Sequence, residues 1–139
     1  MLTFVSRDED LDDLIADLEA HGPCDIVAGG RTKERALERF AETLRFPDWF
    51  GHNLDALYEL LDEHAYAVTG SGADWHLLWI PGRRLLRDRP GDYAGIVAVL
   101  RDVAELLVDE PGRGARSVVV YGPDPSGATP TDPDQEDPQ

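Results

Sequence analysis

A chain of 139 residues with 28 acidic and 13 basic side chains, a net charge of −15, one Cys and 42% hydrophobic residues has room for one folded domain and a core of ordinary size. The charge excludes a broad phosphate-binding face, and so a nucleic-acid binder, and it excludes docking on an anionic membrane; it suits a basic partner. Cys24 is alone, which rules out an internal disulfide and a zinc–cysteine cluster. With no signal-like start and no apolar run of membrane-spanning length, the expectation is a cytoplasmic protein without metal or cofactor.

Leu2-Thr3-Phe4-Val5 fits a short strand. Ser6 and Glu9 form a capping-box pattern, and Leu11, Leu14, Ile15 and Leu18 follow at helical spacing until Gly22-Pro23. Cys24 to Ala28 predicts a buried strand closed by Gly29-Gly30. Thr32 can cap a second helix, with Leu37, Phe40, Ala41 and Leu44 on one face, stopped before Pro47. Asn53 can cap a third over roughly residues 54–64. His76 to Ile80 is a strand ended by Pro81-Gly82. Asp92 can cap a long fourth helix with Ile96, Val99, Leu100, Val103 and Leu107 as its stripe. Ser117 to Tyr121 is a last strand, and its three Val residues suggest burial on both faces, as in a parallel sheet. Strands separated by helices argue an α/β fold with a small parallel sheet. The domain is expected to end near residue 121. Residues 122–139 carry five acids and no base among Pro, Gly and Thr, and read as a disordered tail.

The charge is unevenly placed. Residues 46–80 hold Asp48, Asp55, Glu59, Asp62, Glu63 and Asp74 but no Lys or Arg, together with Trp49, Phe50, Tyr58, Tyr66, Trp75 and Trp79. On a helical wheel Leu54, Leu57, Tyr58, Leu60 and Leu61 fall on one side; Asp55, Glu59, Asp62 and Glu63 fall on the other. Polar outer faces are the rule for surface helices, so a solvated face with packing aromatics explains much of this. The missing interspersed bases instead describe a surface awaiting a cation.

The stretch Phe46-Pro47-Asp48-Trp49-Phe50-Gly51-His52-Asn53-Leu54-Asp55-Ala56-Leu57-Tyr58-Glu59-Leu60-Leu61 resembles the barstar family of intracellular ribonuclease inhibitors. The match is dense and ungapped, and the order of elements from Cys24 to Tyr121 agrees with it. The resemblance implies a three-stranded parallel sheet packed by helices over residues 23–121, with residues 1–22 as an N-terminal strand and helix extension. It implies a loop and helix that plug the basic active site of a small microbial ribonuclease, in a 1:1 complex, from a free monomer. Carried over by position, Trp49 would cover a catalytic His of the enzyme. Gly51 and Asn53 would join the partner-binding set, and Asp55, Tyr58 and Glu59 would supply an acid, an aromatic and the central acid of the interface. A weaker, helix-level match puts Asp102 at a peripheral acidic contact. Trp49, Tyr58 and Glu59 stand where the family usually has Tyr, Trp and Asp, which suits a different cognate ribonuclease. The physics agrees: a carboxylate fixed on a helix can occupy a phosphate site and accept charge-assisted hydrogen bonds from Arg, Lys and His.

Two other readings stand beside the inhibitor. Asp55 and Glu59 could serve an enzyme as acid and base, although no metal ligands or oxyanion donors are evident nearby. The chain could also be an acidic scaffold without a ribonuclease target. His21, His52, His64 and His76 lack metal-ligand spacing and read as surface or loop residues. Gly70-Ser71-Gly72 lacks the flanks of a nucleophile elbow. Arg83, Arg84, Arg87 and Arg89 form a basic patch whose plainest role is to pair with the domain's own acids.

Overall fold

The computed structural model describes residues 1–47, 51–106, 108 and 110–126. In chain order the elements are β1 (Leu2–Val5), α1 (Leu11–Glu19), β2 (Asp25–Ala28), α2 (Lys33–Leu44), α3 (Leu54–Thr69), β3 (Trp75–Ile80), α4 (Arg83–Asp88), α5 (Pro90–Ala104) and β4 (Arg116–Tyr121). The strands pair in parallel in the order β1-β4-β3-β2. The sheet thus has four strands, one more than the resemblance implies. The extension does not sit apart from the sheet: Leu2 to Val5 run in register with Val118 to Tyr121. That pairing satisfies the edge of β4, which would otherwise present unpaired backbone groups.

Alternation along β3 and β4 builds two cores. Leu77, Trp79, Val118 and Val120 face α2, α3 and α5, joining Leu37, Phe40, Leu57, Leu61, Ile96 and Leu100. Trp79 anchors this layer, stacked on Tyr93 at 5.5 Å and tilted against Phe40 at 5.9 Å. Leu78, Val119 and Tyr121 point to the opposite face, where Leu11, Leu14, Ile15 and Leu18 of α1 cover them. The double burial expected for the valine run is present, as a parallel sheet requires.

Local chemistry explains most boundaries. The Thr32 and Asn53 side chains accept from the backbone N–H of Arg35 (3.2 Å) and Ala56 (2.8 Å), as N-caps do. The first helix starts later than the Ser6 pattern suggests. Asp10 is its cap, accepting from Asp13 N–H at 3.0 Å, while the Ser6 hydroxyl accepts from Asp8 N–H in a preceding turn. Gly30 turns β2 into α2 with φ of 103°, and a Cβ there would lie 2.5 Å from the Ala36 nitrogen, so only glycine fits. α3 runs to Thr69, past the expected residue 64, because Ala65 and Thr69 continue its buried side. The short α4 was not foreseen. Arg89 breaks the helical run between α4 and α5, where Pro90 occupies the first turn; Asp92 lies inside that turn rather than at the cap. Leu107, expected on the stripe of the last long helix, lies outside the described residues.

The fold holds its ends. The Met1 ammonium donates to the carbonyls of Ala104 (2.9 Å) and Arg116 (2.7 Å). Beyond β4, Tyr93 Oη donates to Pro123 O at 2.6 Å, and Asp124 lies 3.6 Å from Arg101. Contacts therefore continue past the expected boundary at residue 121. The tail proper, residues 127–139, lies outside the described residues. Among the described residues no helix is long and apolar enough to cross a membrane.

Candidate functional site

The site begins at a turn. His52 has φ of 51°, in the left-handed region, and its turn leads into Asn53. The Asn53 amide then works in both directions: Oδ1 accepts from Ala56 N–H, and Nδ2 reaches Gly51 O at 3.5 Å. A Cβ on residue 51 would meet Asn53 Nδ2 at 3.0 Å, so Gly51 leaves room for the capping amide. Trp49, with Asp48 and Phe50, lies outside the described residues.

From that cap α3 runs beside α5. Its buried face carries Leu57, Leu60, Leu61, Ala65 and Thr69. Leu54 and Tyr58 are only half-buried and turn toward α5, where Gly95 allows close approach; a Cβ there would lie 3.1 Å from Leu54 Cδ1. Between the two helices lies an open groove of about 470 Å³, lined by Leu54, Asp55, Tyr58, Glu59, Val99 and Asp102. Four of the seven expected site residues thus meet at one place: Asp55, Tyr58 and Glu59 from α3, and Asp102 from α5. Gly51 and Asn53 adjoin the same helix end. Leu54 and Val99, which supply the apolar lining, were not singled out from the sequence, although Val99 had been placed on an apolar stripe.

The acids of the groove and those of the middle block differ in their partners. Asp55, Glu59 and Asp102 are exposed and carry no salt bridge among the described residues. Asp62, one turn beyond Glu59, instead faces the buried Arg116 of β4 at 2.9 Å. Asp74 accepts from Ala115 N–H at 2.8 Å. Asp62 is therefore met by a cation from β4, and Asp74 by a backbone N–H just before it, partners that sequence distance conceals.

One histidine needs correction. His64 is not a free surface residue: it is part-buried, with Nε2 donating to Asp25 Oδ2 at 3.0 Å. Trp75 Nε1 donates to the same oxygen at 3.0 Å. The His64 hydrogen bond, outweighing burial and helped by Trp75, holds the Asp25 carboxyl below the usual carboxylate range. Among Arg83, Arg84, Arg87 and Arg89, only Arg87 has an ion-pair partner among the described residues, Asp88 at 2.8 Å. A second basic site appears on α2, where Gly30, Arg31, Arg35 and Arg39 line a cavity of about 450 Å³. Arg35 and Arg39 there pair with Glu38 and Glu42. Burial, and then neighbouring Asp25, push the Cys24 thiol up to about 11, away from the thiolate form.

A parallel α/β sheet whose helix pair presents an open groove with exposed carboxylates and one aromatic wall defines the class: a small α/β protein with an acidic helical surface. The family model described as Barstar (barnase inhibitor) matches residues 24–120, from the entry to β2 through nearly all of β4. The chain belongs to the Barstar family, with β1 and α1 lying before the matched stretch. No curated protein matches it.

Proposed function

We propose that this chain is a protein inhibitor of a small microbial ribonuclease, with α3 and its preceding loop seated in the enzyme's basic active site. The observation that carries the reading is the convergence of Asp55, Glu59 and Asp102 around one open groove beside Tyr58, without salt bridges among the described residues. The family's description as a barnase inhibitor supports the same class of target. Arg, Lys and His that grip RNA phosphates would be met by carboxylates, which accept charge-assisted hydrogen bonds from those cations. Tyr58, and Trp49 in the loop, supply the rigid aromatic contacts common at interface hot spots. Gly51 and Asn53 fix how the loop enters the helix. The complex is 1:1, the free protein is monomeric, and both act in the cytoplasm, where an inhibitor protects its host from the enzyme.

The groove is a receptor for side chains rather than a reaction vessel. It is open, and the two carboxylates on α3 are exposed, whereas acid–base catalysis by a carboxylate pair gains from a water-excluding cleft. Titration of the purified protein against a panel of guanyl-preferring microbial ribonucleases and the host's own secreted enzymes tests the proposal. At least one enzyme is expected to lose activity with a sharp equivalence point. Absence of inhibition across the whole panel would leave the acidic scaffold as the better reading.

A further inference from the structure

Besides their shared apolar core, the two walls of the groove are joined by a buried residue outside it. Arg116 opens β4, and its side chain is only 5% exposed. Its Nη1 donates to Val103 O of α5 at 3.0 Å and lies 2.9 Å from Asp62 Oδ1 of α3. The contact to Asp62 is an ion pair whose angle falls outside hydrogen-bond geometry, so the directional bond goes to α5 and the charge attraction to α3. Asp62 follows Glu59 by three residues, and Val103 follows Asp102 by one. The tie is therefore made one turn along α3 from Glu59 and next to Asp102 on α5, on the same two helices that carry the groove's acids.

Nearer the loop, α3 and α5 meet through apolar contacts alone, Leu54 packing close to Gly95, and Leu54 and Val99 floor the open groove above that contact. Apolar contacts alone tolerate small sliding and rotation of one helix on another, whereas a buried charge with fixed partners selects one arrangement. The geometry points to Arg116 as a positioning residue for the acidic surface: by tying α3 through Asp62 and α5 through Val103, it sets the spacing of Asp55 and Glu59 against Asp102. This rests on the proposed function for its consequence in binding, but the spacing itself is a property of the free protein. Arg116 touches no partner. Its effect passes through the two helices.

The test uses Arg116→Met, which keeps an apolar stem but removes the charge, and Arg116→Lys, which keeps the charge but loses the planar fork. Asp62→Asn is the milder variant that leaves the Arg116–Val103 bond in place, and it decides the matter if Arg116→Met does not fold. Leu14→Ala, in the opposite core under α1, serves as a destabilised control remote from both helices. Spin labels at Glu63→Cys on α3 and Ala98→Cys on α5, both exposed positions, report helix spacing in a Cys24→Ser background. Arg116→Met and Asp62→Asn are expected to broaden or shift that distance distribution, Arg116→Lys to restore part of it, and Leu14→Ala to leave it unchanged. In complex with the ribonuclease identified by titration, Arg116→Met is expected to dissociate roughly tenfold faster than Leu14→Ala. A distance distribution identical to that of the parent in both Arg116→Met and Asp62→Asn would overturn the inference. If the parent bound no ribonuclease, the proposed function would fall, while the distance measurement would still decide the role of Arg116.

Discussion

At the scale of single residues, two groups of carboxylates behave in opposite ways. Asp25 is engaged within the fold. Its carboxyl is depressed chiefly by the His64 hydrogen bond, so the folded protein holds the proton less readily than the unfolded chain. Stability from this group is fully present above the unfolded carboxylate pKa of about 3.9 and is lost as pH falls through the lower folded value. Asp25→Asn is expected to cost about 1 kcal/mol at pH 7, less than the roughly 1.5–3 kcal/mol of hydrogen bonds to a charged group because the site is about one-third exposed. Thermal melts should show the gap between parent and variant closing as pH drops below about 4, and a gap that widened would contradict the assignment. Asp55 and Glu59 are exposed and make no salt bridge among the described residues. Four apart on α3, they repel by a few tenths of a kcal/mol in the free protein, so neutralising Glu59 should not lower the melting temperature, whereas Asp55, in the first turn, also gains about 0.3–1 kcal/mol from the helix dipole. In the proposed complex they are desolvated against the enzyme's cations. Asp55→Ala or Glu59→Ala should then cost about 2–5 kcal/mol, mainly as faster dissociation, a range to which complexes of this family themselves contribute. Asp102, on the far wall, should mainly slow association when replaced. Stopped-flow rates for the three variants test the division, and an Asp102→Ala variant worse than both others would place the centre on α5.

At the scale of elements, α3 shows what sequence reveals and where it stops. Its start was legible because an Asx cap is local chemistry: Asn53, three residues before Ala56, carries the signal by itself. The loop-to-helix motif of residues 46–61 was legible for the same reason. The end of α3 was not, because Ala65 and Thr69 are held by packing against distant residues. Nor was α4, whose six residues carry no side-chain cap hydrogen bond. The pairing of β1 with β4 joins residues more than a hundred positions apart, and no local pattern encodes it. Within the site, the wheel placed Asp55 and Glu59 on one acidic face with Asp62 and Glu63, while the choice of Asp55, Tyr58, Glu59 and Asp102 came from the resemblance. The Asp62–Arg116 and Asp25–His64 contacts needed the tertiary fold, since each joins segments whose separation hides their complementarity. The cap carries its own prediction. Asn53→Ala is expected to lose about 1 kcal/mol, or roughly 3–5 °C in melting temperature. Asn53→Asp, which can also cap, should restore most of it. Failure of Asp to rescue would mean that the bond from Nδ2 to Gly51 matters more than the cap.

At the scale of the whole molecule, the charge works at a distance and the chain end works by contact. A net charge of −15 should steer the protein toward a basic enzyme and raise the association rate at low ionic strength. Residues 127–139 contribute Asp132, Asp134, Glu136 and Asp137 and no base, so a chain ending at Ser126 carries −11. Those four charges lie beyond the contacts of Pro123 and Asp124 and are screened over about 8 Å at physiological salt. Ending the chain at Ser126 should therefore leave the melting temperature and dissociation rate unchanged. It should lower association by less than tenfold, with the difference shrinking as salt rises. Ending it at Tyr121 is a different experiment. It removes the acceptor for Tyr93 Oη, whose phenol burial already pushes up, and the partner of Arg101. An unpaired, half-buried donor costs about 1–3 kcal/mol, so this shorter chain should melt several degrees lower while its acidic groove stays intact. Melts and binding rates of the two truncations separate the effects. Equal melting temperatures would show that the strap from Gly122 to Asp124 contributes nothing to the fold, and a dissociation rate raised several hundredfold by the longer truncation alone would show that this strap reaches the binding surface.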